Sequence, residues 1–188
     1  MFIFTPVHTR IRRVGLYALT PLSGIGMKTL VVDFMYLDLN TCERCVATDD
    51  NLDCALALLS DALRTLGYTV KRNKIKITSR ELAEKHKFLS SPTIRVNGVD
   101  ICGEIKENWC KDCVSLSDGR DVDCRVFLYD GKEVDQPPVP MILDGILKVL
   151  YGNLSGVETE YKLPDNLDRF FENKPSGPDD IALIKRCC

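Results

Sequence analysis

The chain has 188 residues, of which 45% are apolar and 28% are charged, as expected for one globular domain of ordinary size with extensions. The net charge of −2 and the sequence pI near 5.7 argue against a general electrostatic grip on nucleic acid or an anionic membrane. No run of 18 apolar residues is present, so we expect no membrane-spanning helix.

Cysteine is the unusual component, with nine residues. Because this number is odd, complete internal disulfide pairing is impossible, and a chain of this length can build a core without such links. We therefore expect a cytoplasmic protein whose thiols stay reduced for redox or metal chemistry. The nine are Cys42, Cys45, Cys54, Cys102, Cys110, Cys113, Cys124, Cys187 and Cys188.

The first 26 residues differ from the rest of the chain. Several arginines precede a mildly apolar stretch, which is the outline of a signal peptide, but Pro21 and Gly24 interrupt that stretch and no clear cleavage site follows. Met27 opens the first convincing strand. We expect residues 1–26 to form a disordered N-terminal extension, and a weak export signal is the alternative.

Two strands and one long helix are predicted next. Residues 29–38 ("TLVVDFMYLD") are β-branched and aromatic, which is typical of a buried strand. The polar residues 48–51 ("TDDN") can cap a helix, and leucines then recur at helical spacing until Gly67. Cys54 lies in this helix and is expected to be a small buried apolar residue. Residues 68–77 alternate like a second strand.

The middle of the chain predicts a short helix and a hairpin. Residues 78–81 ("TSRE") form a capping box, and the helix should run to about Lys87. The stretch "SPTIRVNGVDI" then reads as a strand followed by Asn97-Gly98, a dipeptide favoured in tight hairpin turns. Residues 102–123 look like a Cys-rich insertion, and "CRVFLY", which begins at Cys124, predicts the last strand.

A final helix and a polar tail complete the chain. Prolines lead into an apolar helical face that ends at Gly152. Residues 153–188 form a polar tail that ends in Cys-Cys, and Leu167, Phe170 and Phe171 within it predict one docked turn.

The order of these elements is that of thioredoxin, in which a Cys-x-x-Cys follows the first strand. The stretches "LNTCERCVATDDNLDCAL", "SPTIRVNGVDI" and "DCRVFLYDGKEVDQPP" resemble a thioredoxin-like family of bacteria and archaea known as DUF2703. The resemblance runs from about Leu30 to Gly152 and supplies no established substrate. It implies an α/β, thioredoxin-like domain over residues 27–152, with a central mixed sheet of about four strands flanked by helices and the Cys-rich insertion before the last strand.

Cys42 and Cys45 are the candidate redox pair. The thiolate is the reactive form of cysteine, and a helix that begins near Cys42 would stabilise it through unpaired N–H groups. Arg44 adds a nearby positive charge and Glu43 opposes it. We expect Cys42 to be the exposed nucleophile that forms a mixed disulfide with a substrate, and Cys45 to resolve it.

Pro92 is the second element of this interpretation. In the thioredoxin fold a cis proline at the start of the third strand faces the Cys-x-x-Cys, and Pro92 falls at that position. The resemblance implies that the Ser91 backbone pairs with an incoming chain as an extra strand, and that Thr93 and Arg44 also contact the substrate.

Cys110 and Cys113 allow three interpretations. They could relay electrons to or from the first pair, form a static disulfide, or bind zinc together with Cys102 and Cys124 as a four-thiolate site. A zinc site shared by the two Cys-x-x-Cys pairs is a further alternative, which we rank behind these. Cys187 and Cys188 could carry electrons, capture a soft metal, or have no function.

The sequence therefore favours a thiol–disulfide oxidoreductase that needs no cofactor. Its partners would be a protein or small-molecule disulfide or thiol and an unidentified reductase, with neither nucleic acid nor membrane involved. The alternative is a thiolate-rich protein that binds structural zinc or handles soft metals on the same scaffold, and a third hypothesis is an adaptor without turnover.

Overall fold

The computed structural model describes residues 26–110, 112, 122–152, 154, 156 and 160–172. Within this part of the chain, strands and helices alternate in an α/β arrangement. The strands are β1 (Lys28–Tyr36), β2 (Tyr68–Lys76), β3 (Thr93–Val96), β4 (Val99–Asp100), β5 (Lys106–Trp109), β6 (Asp123–Tyr129) and β7 (Lys132–Val134). The helices are α1 (Glu43–Thr65), α2 (Arg80–Lys85), α3 (Val139–Tyr151) and α4 (Asp165–Phe171).

A four-stranded mixed sheet in the order β2-β1-β3-β4 forms the centre of the fold, as the sequence predicts. β1 and β2 run parallel, and β3 is antiparallel to both β1 and β4. The parallel pair needs a crossover connection, which α1 provides. β1 occupies a central position because its alternating residues Leu30, Val32 and Phe34 are fully buried.

α1 begins earlier than the sequence predicts, at Glu43 rather than within the polar residues 48–51. The difference arises because Cys42 itself is the N-cap residue, and its sulfur accepts a hydrogen bond from the backbone N–H of Cys45. Gly67, with φ of 79°, follows the end of α1 as predicted. Cys54 was expected to be buried, but it lies on the solvent side of α1 and is exposed.

The short helix and the hairpin match the sequence prediction. Ser79 is the N-cap of α2, and its hydroxyl accepts from the N–H of Leu82 over 3.3 Å. Asn97 and Gly98 join β3 to β4 with φ of 49° and 83°, the pair of positive values that a tight hairpin turn requires.

The strand "CRVFLY" does not join the central sheet. It forms β6, which pairs with β5 and β7 in a separate three-stranded sheet, whereas the short β4 takes the edge of the central sheet. The segment predicted as an insertion therefore contains β5, a partner of β6, and its residues 111 and 113–121 lie outside the described part of the chain.

α3 and α4 cover two hydrophobic core clusters. α3 packs closely on the end of the hairpin, since a Cβ on Gly145 would lie 2.7 Å from the Cβ of Ile101. α4 buries Leu167, Phe170 and Phe171 in the cluster that contains the candidate cysteines, so the predicted docked turn is a short helix.

In the part of the chain described here, we find no helix that is long and apolar enough to cross a membrane. Residues 1–25 of the predicted N-terminal extension lie outside the described residues, as does the Cys187-Cys188 end of the tail.

Candidate functional site

The loop that joins β1 to α1 is fixed by one carboxylate. Oδ2 of Asp38 accepts hydrogen bonds from the N–H groups of Asn40 and Thr41 at 2.8 Å each, and from the Thr41 hydroxyl at 2.9 Å. Burial alone would raise the pKa of Asp38, but these hydrogen bonds and the ammonium group of Lys76 hold it below its ordinary value. This loop places Cys42 at the start of α1.

Cys42 and Cys45 lie together in the core, and both are fully buried. The backbone N–H of Cys45 points at the sulfur of Cys42 over 3.4 Å. The hydrogen bond between the two side chains raises the pKa of Cys45, burial raises it further, and Ser91 partly opposes the shift. The side chain of Cys42 and burial therefore both disfavour the thiolate form of Cys45. The expected exposure of Cys42 is wrong, because β6 and α4 contribute side chains that cover it.

Ser91 contacts the pair directly. Its hydroxyl lies 3.4 Å from the sulfur of Cys45 and accepts the N–H of Leu37 over 3.1 Å. The Ser91–Pro92 peptide bond is cis, as predicted. The carbonyl oxygen of Ser91, however, accepts the backbone N–H of Arg125 on β6 over 2.7 Å. The contact predicted for an incoming chain is thus made within this chain.

The other two predicted substrate contacts lie elsewhere. Thr93 is buried, donates its hydroxyl to the carbonyl of Ser90 over 2.6 Å and accepts from the Arg125 guanidinium over 3.3 Å. The hydrogen bonds of the Arg44 guanidinium go to residues other than Cys42 and Cys45. It forms a 2.8 Å salt bridge with Asp135 and donates to the side chain of Asn108 over 2.6 Å.

Three cysteine sulfurs meet at the start of α1. The sulfurs of Cys42, Cys110 and Cys124 all lie within 4.8 Å of one another, and the three residues are buried. They come from the N-cap of α1, from the residue that follows β5 and from β6. Sulfurs that share a tetrahedral zinc ion at 2.3 Å lie about 3.8 Å apart, so this spacing fits a metal ion after a small contraction. The three side chains could hold a metal ion.

The remaining predicted cysteines divide into two groups. Cys102 lies in the other core cluster, beside Asp100 and Arg125, and burial raises its pKa to about 12. The structure therefore does not bring Cys102 together with Cys110 and Cys124, because β6 presents Cys124 to one cluster and Phe127 to the other. Three further predicted site residues lie outside the described residues: Cys113, Cys187 and Cys188.

The sequence missed the grouping of Cys42 with Cys110 and Cys124. The two Cys-x-x-Cys pairs are the sequence feature that indicates such a grouping, but the other interpretations of Cys110 and Cys113 rank ahead of a shared zinc site. Sequence reasoning also missed Arg125. Its fully buried guanidinium donates to Asp100 at 2.7 and 3.2 Å and to the carbonyl of Gly103 at 2.9 Å. No local sequence pattern predicts an ion pair between Arg125 and Asp100.

A cleft of about 450 Å³ reaches Cys110, one of these three cysteines. The carboxylate of Asp112 accepts the backbone N–H of Glu43 across it over 3.1 Å, which ties the segment after β5 to the first turn of α1. The residues that line the cleft are Glu43, Arg44, Ala47, Trp109, Cys110, Asp112, Asp135 and Gln136.

The fold and the site together define an α/β protein with a buried three-cysteine cluster at the start of its first helix. The chain belongs to a family described as "Domain of unknown function (DUF2703)", whose model matches residues 30–146. This match confirms the resemblance of the sequence to DUF2703. A search of curated proteins and a search of solved structures each found no match.

Proposed function

We propose that the protein binds a thiophilic metal ion through Cys42, Cys110 and Cys124 on a thioredoxin-like scaffold. The observation that carries the proposal is the mutual approach of these three buried sulfurs. Thiolates are soft ligands that select ions such as Zn²⁺ and Cu⁺. The strand order β2-β1-β3-β4, with α1 between the parallel strands and the dithiol at its start, supports the thioredoxin-like assignment.

Burial favours a metal site over three isolated thiols. Desolvation disfavours thiolates, and three negative charges within 4.8 Å would repel one another. A bound divalent cation would offset most of this negative charge and so make three thiolates in the core favourable.

Two cysteines are candidates for a fourth ligand. Cys45 is hydrogen-bonded to Cys42 but lies outside the group of three. Cys113 follows Cys110 at the spacing of a zinc-binding Cys-x-x-Cys. Cys45→Ser and Cys113→Ser separate the two, because only loss of the true fourth ligand should weaken metal binding.

The first test is the metal content of protein purified under reducing conditions with zinc. We expect one ion per chain, and loss of that ion in Cys42→Ser and Cys124→Ser. Cys54→Ser and Cys102→Ser are matched controls, since neither residue belongs to the group of three, and both should retain the metal. Metal-free protein, or equal loss in all four variants, would refute the proposal.

A second candidate function is thiol–disulfide exchange by Cys42 and Cys45, which the N-cap position of Cys42 and the Ser91 contact favour. The Cys42 thiolate would attack a substrate disulfide and displace one thiolate. Cys45 would then attack Cys42, release the second substrate thiol and pass its proton to it, leaving an intramolecular disulfide. An unidentified reductase would restore the dithiol, and no cofactor is needed.

Redox titration with mass mapping of the disulfides tests this second function. A reversible Cys42–Cys45 disulfide with a defined potential would support it, and the absence of that disulfide at every potential would exclude it. Either function suits a reducing compartment such as the cytoplasm, where thiols persist. If both tests are negative, the adaptor hypothesis remains.

A further inference from the structure

We infer that the cleft beside Cys110 is the port through which a soft metal cation reaches and leaves the three-sulfur site, so that the ion is exchangeable. This inference rests on the metal-binding function proposed above and adds the route and the order in which the sulfurs are met. The port consists of the cleft lining given above, which includes Cys110 but neither Cys42 nor Cys124.

The geometry makes Cys110 the first sulfur on this route. Cys110 lines the cleft and is 3% exposed, whereas Cys42 and Cys124 are fully buried and do not line it. Trp109 forms part of the wall and is 55% exposed, an unusual position for the single tryptophan of the chain. An ion that enters here meets Cys110 before it can reach the other two sulfurs.

The charge of the lining suits a cation. Three carboxylates, those of Glu43, Asp112 and Asp135, face one guanidinium, that of Arg44. The salt bridge between Arg44 and Asp135 is 2.8 Å long, so these two charges largely cancel. The carboxylate of Glu43 then contributes a negative field that concentrates cations near Cys110.

Uptake is a simple ligand exchange. The ion loses water molecules as it forms bonds to the sulfur of Cys110 and then to those of Cys42 and Cys124, and each thiol that was protonated releases its proton to solvent. No electron is transferred. Release to a competing chelator runs in reverse, with each metal–sulfur bond replaced by a bond to the chelator.

The test mixes the reduced, metal-free full chain with Cd²⁺ alone and follows sulfur-to-cadmium absorbance over time. We expect Glu43→Gln to slow Cd²⁺ uptake about two- to fourfold at low ionic strength, because the field of this carboxylate speeds the association of the cation. The difference should disappear in high salt, which screens that field. Glu84→Gln removes the same charge from α2, outside the cleft, and should match the unmodified protein. Equal rates for the two variants at low salt would overturn the port.

Limited alkylation of the metal-free chain gives a second readout. Among the three sulfurs, Cys110 should be labelled before Cys42 and Cys124, and labelling of Cys42 first would contradict the route. The number of Cd²⁺ ions bound per chain at equilibrium distinguishes failure of the port from failure of the metal-binding function. One ion per chain with rates that ignore Glu43 refutes the port alone, whereas no bound ion refutes the metal function and the port together.

Discussion

The backbone N–H of Arg125 donates to the carbonyl oxygen of Ser91 over 2.7 Å. This bond holds β6 beside the loop that precedes β3, and Cys124, the preceding residue of β6, reaches the sulfur of Cys42. A peptide that bound as an extra strand would compete for the same carbonyl. β6 therefore brings the sulfur of Cys124 close to Cys42, on the side where a thiol–disulfide oxidoreductase would bind its substrate.

The position of β6 is fixed by the buried side chain of the same arginine. Its guanidinium donates to the Asp100 carboxylate at the end of the hairpin and to the hydroxyl of Thr93 on β3. Asp100 balances a charge that is fully removed from solvent, and such a pair is costly to break. The position of Cys124 beside Cys42 thus depends in part on this buried ion pair.

Asp38→Asn should loosen the loop that places Cys42. The amide replaces a carboxylate that accepts three hydrogen bonds, so we expect a loss of about 1–3 kcal/mol in the free energy of unfolding at pH 7. Because the pKa of Asp38 is lowered in the folded state, its contribution is present above the unfolded pKa and lost as the pH falls through the folded pKa. Urea unfolding at pH 7 and pH 3 should show the two proteins converging at low pH, and a gap that stays constant would contradict this role.

Cys102→Ala should change the alkaline stability of the protein. The pKa of this buried thiol is raised from 9.0 to about 12, so the folded state retains a proton that the unfolded state loses. Stability from this group is fully present below the unfolded pKa and declines as the pH rises towards the folded pKa. The stability difference between the unmodified protein and the variant should shrink by about 1 kcal/mol between pH 8 and pH 10, as measured by denaturant unfolding. A difference that does not depend on pH would mean that the thiol is not desolvated.

Phe171→Ala should uncover the sulfur cluster. Phe171 is buried in the hydrophobic core cluster that contains Cys42, and it packs edge to face on Phe170, with ring centroids 5.0 Å apart. We expect a loss of about 3–5 kcal/mol in unfolding free energy and faster alkylation of Cys42 in the metal-free protein. Leu58→Ala on the exposed face of α1 is the matched control and should change neither quantity appreciably. Unchanged Cys42 reactivity in Phe171→Ala would show that α4 does not protect the site.

Local patterns were sufficient for much of the fold. The alternation of β2, the capping box of α2 and the Asn97-Gly98 turn each depend on neighbouring residues, and the structure agrees with each. The start of α1 was misplaced because a cysteine rarely serves as N-cap, whereas the polar residues 48–51 carry the usual capping side chains.

The site was harder to predict because its parts are distant in sequence. The β6 strand was recognised from its composition, but composition does not specify which strand it pairs with, and the short β4 took the expected edge. Cys42 is buried in a cluster with Cys110, Cys124 and residues of α4, none of which adjoins it in the chain. Spacing alone therefore favoured an exposed dithiol and grouped Cys102 with Cys110 and Cys124.

X-ray absorption at the zinc edge of the reduced, zinc-loaded protein would show whether Cys42, Cys110 and Cys124 bind the metal ion. We expect a shell of sulfur atoms at about 2.3 Å, with fewer sulfurs or no bound zinc in Cys124→Ser and an unchanged shell in Cys102→Ser. A shell of oxygen and nitrogen atoms, or a sulfur shell that survives Cys124→Ser but not Cys102→Ser, would contradict it.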